Sequence, residues 1–80
     1  MEDAKSKRET AIREAKNNLI LDAALKIFSE TGFHDSRLED IAAAAGFSKA
    51  SLYNYYEDKE TIFLSLAIRE YSAVVGKLRE

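Results

Sequence analysis

The segment SKASLYN, residues 48–54, places a lysine, two serines, an asparagine and a tyrosine within about two turns of a helix. Amine, amide and hydroxyl groups at this density suit recognition by hydrogen bonds, the chemistry with which proteins contact phosphates and read the edges of DNA bases. On a helical wheel, small or polar side chains share one side of the segment: Lys49, Ala50, Ser51, Tyr53 and Asn54. Leu52 lies on the opposite side, together with Tyr55 and Tyr56. The segment therefore predicts a helix with one face packed inward and the other free to contact a polar partner.

Three of the outward side chains have a defined use in base recognition. Asn54 can bond to adenine through both amide atoms, Lys49 can reach the acceptor atoms of guanine, and Ala50 can touch the methyl group of thymine. The overall charge argues the other way, because 12 basic and 14 acidic side chains leave a net charge of −2, whereas DNA-binding domains are usually basic. A DNA-binding role would therefore depend on close fit rather than on long-range attraction.

Groups for other kinds of chemistry are scarce in this sequence. It has one histidine, no cysteine and no glycine-rich phosphate loop, and no nucleophile–base pair or metal-ligand cluster can be recognised. The sequence thus predicts no enzyme active site, no cofactor and no metal site. No apolar run approaches the roughly 18 residues that cross a membrane, and the charged N-terminus lacks the apolar core of a signal peptide.

Four helices are expected to position the segment, since the chain has no proline and only three glycines among residues that favour helix. The first helix is expected to end at Gly32. Its apolar stripe consists of Ile20, Leu21, Ala24, Leu25, Ile27 and Phe28. Residues 1–16 carry charges of both signs and are predicted to form a solvated or frayed helical extension. A DNA-contacting arm is the alternative for those residues.

Capping residues predict where the next three helices begin. Ser36 and Glu39 match the S-x-x-E pattern of a capping box, which would start the second helix. Ser48 is expected to cap a third helix over about residues 48–56, and Asp58 is expected to cap the fourth helix.

The second and third helices fit the pattern of a helix-turn-helix. Short helices that cross steeply need a small residue at their contact, which Ala42 supplies, and the turn needs a positive φ, which suits Gly46. The inward positions of this unit are Ile41, Ala45, Phe47, Leu52 and Tyr55. The predicted fold is all-α, a three-helix helix-turn-helix (homeodomain-like) bundle over residues 17–57 followed by the start of a connecting fourth helix over residues 58–80. The alternative is an ordinary helical hairpin with no role in DNA binding.

The fourth helix is apolar on two faces. One stripe is expected to pack on the preceding helices and consists of Ile62, Phe63, Leu66 and Ala67. The second stripe extends further along the chain and consists of Leu64, Ile68, Tyr71, Val75 and Leu78. A helix that is apolar on two faces is buried on two faces, so the second stripe is expected to meet another domain or a second chain. The alternative function is therefore a helical module that docks a partner protein through this stripe.

The stretch AALKIFSETGFHDSRLEDIAAAAGFSKASLYNYYEDKETIF resembles the N-terminal DNA-binding domain of tetracycline-repressor-like (TetR-type) bacterial transcription regulators. The resemblance covers about residues 19–68, and its most specific part is GFSKASLYNYYEDKE, with the glycine turn and the short recognition helix. It implies a larger helical C-terminal domain, absent from this chain, that forms a homodimer and binds a small-molecule effector of unknown identity. It further implies a palindromic double-stranded DNA operator, in most cases repression, and a location in the bacterial cytoplasm.

The resemblance also implies roles for the residues in and around the third helix. Five side chains would lie on the DNA, namely Lys49, Ala50, Ser51, Tyr53 and Asn54. Tyr53 would be a principal contact, whereas Tyr55 would pack its ring inward and offer its hydroxyl to a phosphate. Ser48 would be a cap first, with a phosphate contact as an addition. The turn itself would depend on Ala42, Gly46 and Leu52.

Further phosphate contacts are implied at the starts of two other helices. Lys59 would bind a phosphate at the start of helix four, as would Ser36 or Arg37 at the start of helix two. This chain departs from many family members in its charge, since residues 36–59 hold three basic and four acidic side chains. Tight non-specific binding to DNA is therefore not expected.

Overall fold

The chain folds into four helices joined by short turns. The computed structural model describes the backbone of residues 2–79 and the side chains of residues 6–74 and 76. The helices are α1 (Glu2–Thr31), α2 (Leu38–Ala45), α3 (Lys49–Tyr53) and α4 (Lys59–Arg79). No strand occurs in residues 2–79, and the prediction of an all-α fold is confirmed. Over the same residues, no helix combines the length and the apolar character that crossing a membrane requires.

α1 is one continuous helix that runs through the residues predicted as an N-terminal extension. Its side chains are exposed from residue 6 to residue 16. It ends where Gly32 adopts a φ of 88° and donates its N–H to the carbonyl of Phe28 at 2.9 Å. This left-handed residue is the predicted stop of the helix. It turns Phe33 back onto the rings of Phe28 and Phe63, at centroid distances of 5.3 and 5.4 Å.

The predicted capping box at the start of α2 is wrong. α2 begins at Leu38 with Arg37 in the N-cap position, and the Arg37 side chain makes no capping bond. Ser36 is instead buried, at 4 % exposure, and its hydroxyl donates to the carbonyl of Gly32. A serine hydroxyl can bond backward to a carbonyl four residues earlier as well as forward to an amide, and here the carbonyl at the end of α1 takes the bond.

Gly46 forms the turn between α2 and α3, as predicted. Its φ of 80° and ψ of 27° are left-handed, and its N–H donates to the carbonyl of Ala43. The N–H of Phe47 donates to the carbonyl of Ala42 at 2.8 Å, which completes the Schellman arrangement that ends many helices at a glycine. Ala42 is 2 % exposed, in agreement with the prediction of a small buried residue at this place.

α3 is shorter than predicted. Ser48 caps it as expected, its side-chain oxygen accepting a backbone N–H of the first turn at 3.1 Å. The helix ends at Tyr53, three residues before the predicted end. The N–H groups of Tyr55 and Tyr56 both bond to the carbonyl of Leu52, at 2.9 and 3.0 Å, which tightens the chain into a turn. With five residues, α3 depends on its surroundings for its stability.

Asp58 caps α4, as predicted. Its carboxylate accepts hydrogen bonds from the hydroxyl and the N–H of Thr61, at 2.7 and 2.8 Å. These two bonds hold the pKa of the Asp58 carboxyl below its usual value, because they favour the ionised acceptor. The stability that this carboxylate contributes is therefore present at neutral pH and is lost as the pH falls through the lowered pKa of the folded state.

The largest fully buried side chains come one from each helix, namely Ile20, Ile41, Leu52 and Ile62. Burial of one such side chain contributes about 1.5–3 kcal/mol. Leu25 was predicted to belong to the buried stripe of α1 but is 43 % exposed, because α2 and α4 cover a narrower strip of that helix. At the surface, Arg69 of α4 lies 2.9 Å from the carboxylate of Asp22 on α1. Because Leu52 is fully buried, it anchors one side of α3 in the core, and the other side of α3 faces solvent.

The two faces of α4 differ in burial. On the inner stripe Leu66 is buried and Phe63 is partly exposed, but Ala67 is exposed, so the prediction that Ala67 packs inward is wrong. α4 contacts α1 through its buried residues and also through Phe63 and Arg69, which lie against Phe28 and Asp22. The second stripe is exposed where its side chains are described: Leu64 at 62 %, Ile68 at 66 % and Tyr71 at 71 %. Its remaining side chains, those of Val75 and Leu78, lie outside the described residues.

Candidate nucleic-acid interface

The outward side of α3 brings together the side chains that the sequence singled out. Four of them are exposed: Lys49, Ala50, Tyr53 and Asn54. Ser51 is half-buried, because the Ser48 hydroxyl accepts its N–H at 3.1 Å and donates to its hydroxyl at 2.9 Å. We call the surface made by these residues the α3 face: Lys49, Ala50, Ser51, Tyr53 and Asn54. The predicted base-contacting residues are therefore accessible on or next to α3, with Ser51 the least exposed of them.

Lys49 on the α3 face is paired with a carboxylate of α2. Its Nζ lies 3.1 Å from Oε1 of Glu39 and 5.8 Å from the centroid of the Tyr53 ring. The hydrogen bond between Lys49 and Glu39 is the largest cause of a lowered pKa for Glu39 and a raised pKa for Lys49. Both side chains are about half exposed, so the pair is weak and an acceptor on DNA can replace Glu39. This pair was not predicted from the sequence, because the S-x-x-E pattern assigned Glu39 to a capping box.

The three tyrosines after Leu52 have different surroundings. Tyr53 lies on the α3 face with 47 % of its surface exposed. Tyr55 is half-buried edge-on against Phe47, with ring centroids 6.0 Å apart and ring planes at 82°. Tyr56 is buried, and its hydroxyl donates to Oδ1 of Asn17 on α1. The predicted directions of the three rings are confirmed, whereas the phosphate contact of the Tyr55 hydroxyl stays a prediction.

The ammonium group of Lys59 bonds to backbone carbonyls of a neighbouring turn. Nζ donates to the carbonyls of Phe33 at 2.7 Å, His34 at 2.8 Å and Ser36 at 3.1 Å, all in the turn between α1 and α2. An ammonium has three N–H donors, so this arrangement uses all of them. Lys59 thus fastens this turn to the start of α4, and the phosphate contact implied by the resemblance stays a prediction.

The start of α2 separates the two residues proposed there for phosphate contact. The Ser36 side chain is buried and bonded to Gly32, so the prediction that it meets a phosphate is wrong for its hydroxyl. Arg37 is exposed beside the first amides of α2, where the helix dipole favours an anion. Of the two residues, Arg37 suits the predicted contact.

Two cations of α1 lie next to α3, although neither was predicted individually. Arg13 donates from Nη2 to the carbonyl of Asn54 at 3.2 Å, and its Cζ lies 4.4 Å from the centroid of the Tyr55 ring. Lys16 lines a groove that also includes Asn54 and Tyr55. Arg13 stands eight residues before the buried Leu21, a spacing that keeps both on one side of a helix, and this was the available signal.

Groups for other chemistry are not assembled within the described part of the chain. No set of three or more His, Asp or Glu side chains there is arranged to hold a metal ion. His34 is exposed in the turn after α1. The candidate site is therefore a surface of hydrogen-bonding groups on α3, with Arg13 and Lys16 of α1 beside it.

Known proteins share this sequence pattern. The family described as bacterial regulatory proteins, tetR family, matches residues 20–66. The chain is 47 % identical over 60 residues to the HTH-type transcriptional regulator RutR of Escherichia coli (strain K12), an alignment that covers 75 % of this chain and 28 % of RutR. It is 33 % identical over 61 residues to the fatty acid metabolism regulator protein of Bacillus subtilis (strain 168), covering 76 % of this chain and 31 % of that protein.

A solved structure shares the fold as well. The fatty acid degradation regulator FadR from Bacillus halodurans superposes with a TM-score of 0.78 at 34 % sequence identity. The superposition covers 80 % of this chain and 34 % of FadR. The chain thus spans 28 % and 31 % of the two curated relatives described above.

Proposed function

The chain belongs to the tetR family of bacterial regulatory proteins, as its sequence resemblance indicated, and from that premise we propose that it binds double-stranded DNA sequence-specifically and regulates transcription. The observation that carries the proposal is the α2–Gly46–α3 unit, in which Leu52 is buried while the α3 face is exposed. In a helix-turn-helix, the second helix enters the major groove and its side chains contact the bases. In this chain that helix is α3.

The α3 face supplies the proposed contacts to the bases. Tyr53 is its large exposed ring, and Asn54 offers both a donor and an acceptor. Lys49 reaches the acceptors of guanine once DNA replaces Glu39 as its partner. The small side chains of Ala50 and its neighbour Ser51 allow the backbone to approach the groove closely. A well-formed bidentate contact distinguishes one base from another by about 1–3 kcal/mol.

The proposed phosphate contacts hold α3 in register along the groove. They come from Arg37 at the start of α2 and from the hydroxyls of Ser48 and Tyr55 at the two ends of α3. Lys59 takes part indirectly, because it fixes the turn that leads into Arg37. A small number of such contacts agrees with a chain whose net charge is −2.

We further propose that the whole protein is a homodimeric regulator, most often a repressor, that a small-molecule effector releases from a palindromic operator. Two observations support this: the second stripe of α4 is exposed, and the relatives are more than three times as long as the matched region. A further helical domain covering that stripe would hold the dimer contact and the effector site. Effector binding would then change the separation of the two α3 helices, and the half-site spacing would no longer be matched. Such a regulator acts on the chromosome in the bacterial cytoplasm.

Selection of bound duplexes from a pool of random double-stranded DNA tests the proposal. We expect one enriched motif, with palindromic symmetry when the whole protein is used. The affinity for the enriched duplex should fall with salt, with a log–log slope of about −0.9 for each phosphate contacted. The proposal is wrong if no motif is enriched even at low salt.

Tyr53→Ala tests the assignment of the α3 face. Because the Tyr53 ring lies outside the core, its removal should change the free energy of unfolding by no more than about 0.5 kcal/mol. Affinity for the enriched duplex at constant salt should fall about tenfold or more. The matched control is Tyr71→Ala, which removes an exposed tyrosine of α4 and should leave the affinity of this chain unchanged. Equal effects of the two substitutions would show that the α3 face is assigned wrongly.

A second candidate function is the docking of a partner protein through the second stripe of α4. The exposure of Leu64, Ile68 and Tyr71 favours it. This function predicts no enriched duplex and no affinity for DNA at any salt concentration. Titration of labelled duplex DNA, including any duplex enriched by the selection, at two salt concentrations separates the two functions, since DNA binding predicts a loss of affinity as salt rises and partner docking predicts no binding to DNA at all.

A further inference from the structure

We propose that Arg13 of α1 is a positioning residue for the DNA-reading helix, which holds the end of α3 so that Tyr53 and Asn54 face the DNA. The proposal rests on the DNA-binding function proposed for the α3 face. Residues 1–16 were expected to form either a solvated extension or a DNA-contacting arm, and the role proposed for Arg13 differs from both.

α3 needs support from outside itself. It has five residues, too few for a helix to be stable alone. Leu52 is its one buried residue, and it lies next to the C-terminal end of the helix. A short helix held mainly at one point can tilt about that point. Contacts beyond Tyr53 therefore decide which way the α3 face points.

Two residues of α1 hold the two tyrosines that follow α3. The Arg13 guanidinium lies over the Tyr55 ring, with Cζ 4.4 Å from the ring centroid. Four residues later, Oδ1 of Asn17 accepts the hydroxyl of Tyr56. Residues four apart lie on the same side of a helix, so α1 presents both groups to the same turn of chain.

Arg13 also bonds to the backbone where α3 ends. Its Nη2 donates at 3.2 Å to the carbonyl of Asn54, which is the C-cap residue of α3. Carbonyls at the C-terminus of a helix carry partial negative charge, so a cation is favourable there. A planar guanidinium can stack on a ring and donate to a carbonyl at the same time, which a lysine ammonium does less well.

The stack on Arg13 extends to the other end of α3. The Tyr55 ring packs edge-on against Phe47, with centroids 6.0 Å apart. Phe47 follows the turn residue Gly46 and precedes the cap Ser48. Arg13, Tyr55 and Phe47 thus form one continuous contact from the residue before the cap of α3 to the turn after it. Loss of Arg13 would loosen the orientation of the whole helix.

Arg13→Ala tests this role through two measurements. In the absence of DNA, the amides of Tyr55 and Tyr56, which bond to Leu52, should exchange hydrogen about three- to tenfold faster. Affinity for the duplex enriched from the random pool should fall by a similar factor of about three to ten, because α3 is less often in its binding orientation. The slope of log affinity against log salt should not change, since no phosphate contact is lost.

Two further variants serve as controls. Arg8→Ala removes the same charge from an exposed position of α1 five residues earlier, and it should change neither amide exchange nor affinity. Arg13→Lys should have smaller effects than Arg13→Ala on both amide exchange and affinity. An ammonium can keep either the bond to the Asn54 carbonyl or the contact with the Tyr55 ring.

The outcomes distinguish the possible roles of Arg13. If Arg13→Ala makes the salt slope shallower by about one, Arg13 contacts a phosphate directly and the positioning role is overturned. Faster exchange with unchanged affinity, or no change in either measurement, overturns it as well. If the unsubstituted chain enriches no duplex, the proposed DNA-binding function fails and the role in DNA reading fails with it. Comparing exchange in Arg13→Ala and Arg8→Ala then shows separately whether Arg13 orders the end of α3.

Discussion

The ammonium group of Lys59 meets three carbonyls of the turn between α1 and α2 and lies 4.7 Å from the centroid of the Phe33 ring. The side chain therefore joins the start of α4 to a turn that lies 23 to 26 residues earlier in the chain. That turn leads directly into Arg37, the cation proposed to meet a phosphate at the start of α2. At the scale of single residues, Lys59 holds in place the turn that precedes the proposed phosphate contact of Arg37.

Lys59→Met tests this structural role, because methionine keeps an unbranched apolar side chain and removes the three N–H donors. Carbonyls left without a charged donor should lower the free energy of unfolding by about 1.5–3 kcal/mol, measured by urea denaturation. Lys26→Met, at an exposed position of α1, is the matched control and should change it by less than about 0.5 kcal/mol. Unchanged stability with a salt slope for DNA binding that is shallower by about one would instead restore the phosphate contact.

Among the elements, the turn between α2 and α3 depends on backbone conformation rather than on space. Gly46 has a φ of 80°, and a Cβ added there would meet no atom within 4 Å. Any penalty for a side chain at this position is therefore conformational. Gly76 lies within α4, where an added Cβ would also meet no atom within 4 Å, but its φ is not positive. The two glycines thus offer the same chemical change in opposite backbone conformations.

The same substitution should have opposite effects at these two positions. Gly46→Ala forces a side chain into the left-handed region and should lower the free energy of unfolding by about 1–2 kcal/mol. Gly76→Ala removes a flexible residue from a helix and should raise it by about 0.5–1 kcal/mol. Denaturant unfolding of both variants checks the signs, provided that the m-value stays constant. An unchanged or raised free energy of unfolding in Gly46→Ala would show that the turn does not require a left-handed residue.

The ends of helices and the outward side of α3 were predictable because both depend on near neighbours in sequence. The residues that begin or end helices as expected are Gly32, Gly46, Ser48 and Asp58. The capping role predicted for Ser36 was wrong because its hydroxyl could bond in two directions, and only the folded chain decides between them. The bonds of Arg13 and Lys59 span 41 and up to 26 residues, whereas periodicity describes one helix at a time. The contacts that position the candidate site were therefore not predictable.

In the molecule as a whole, the α3 face and the exposed apolar stripe of α4 lie on different helices. The net charge is −2, and Lys49 on the α3 face is already paired with Glu39. Long-range attraction to DNA is accordingly expected to be weak, and the proposed recognition depends on the fit of α3 at short range. α4 carries the exposed apolar side chains Leu64, Ile68 and Tyr71. This separation allows one surface to be altered without disturbing the other.

A pair of lysine substitutions on α4 tests whether its second stripe is an outer surface of this chain. Ile68→Lys places a charge where 66 % of the side chain is exposed, so the free energy of unfolding should change by no more than about 0.5 kcal/mol. Leu66→Lys, two residues earlier at 6 % exposure, buries an unpaired charge and should lower the free energy of unfolding by more than about 3 kcal/mol. In a domain this small, that loss should leave most of the molecules unfolded. Ile68→Lys should also reduce any concentration-dependent self-association seen by sedimentation, since it interrupts the exposed apolar stripe. If Ile68→Lys unfolded the chain as Leu66→Lys does, the second stripe would be part of the core and would have no surface to offer to a further domain.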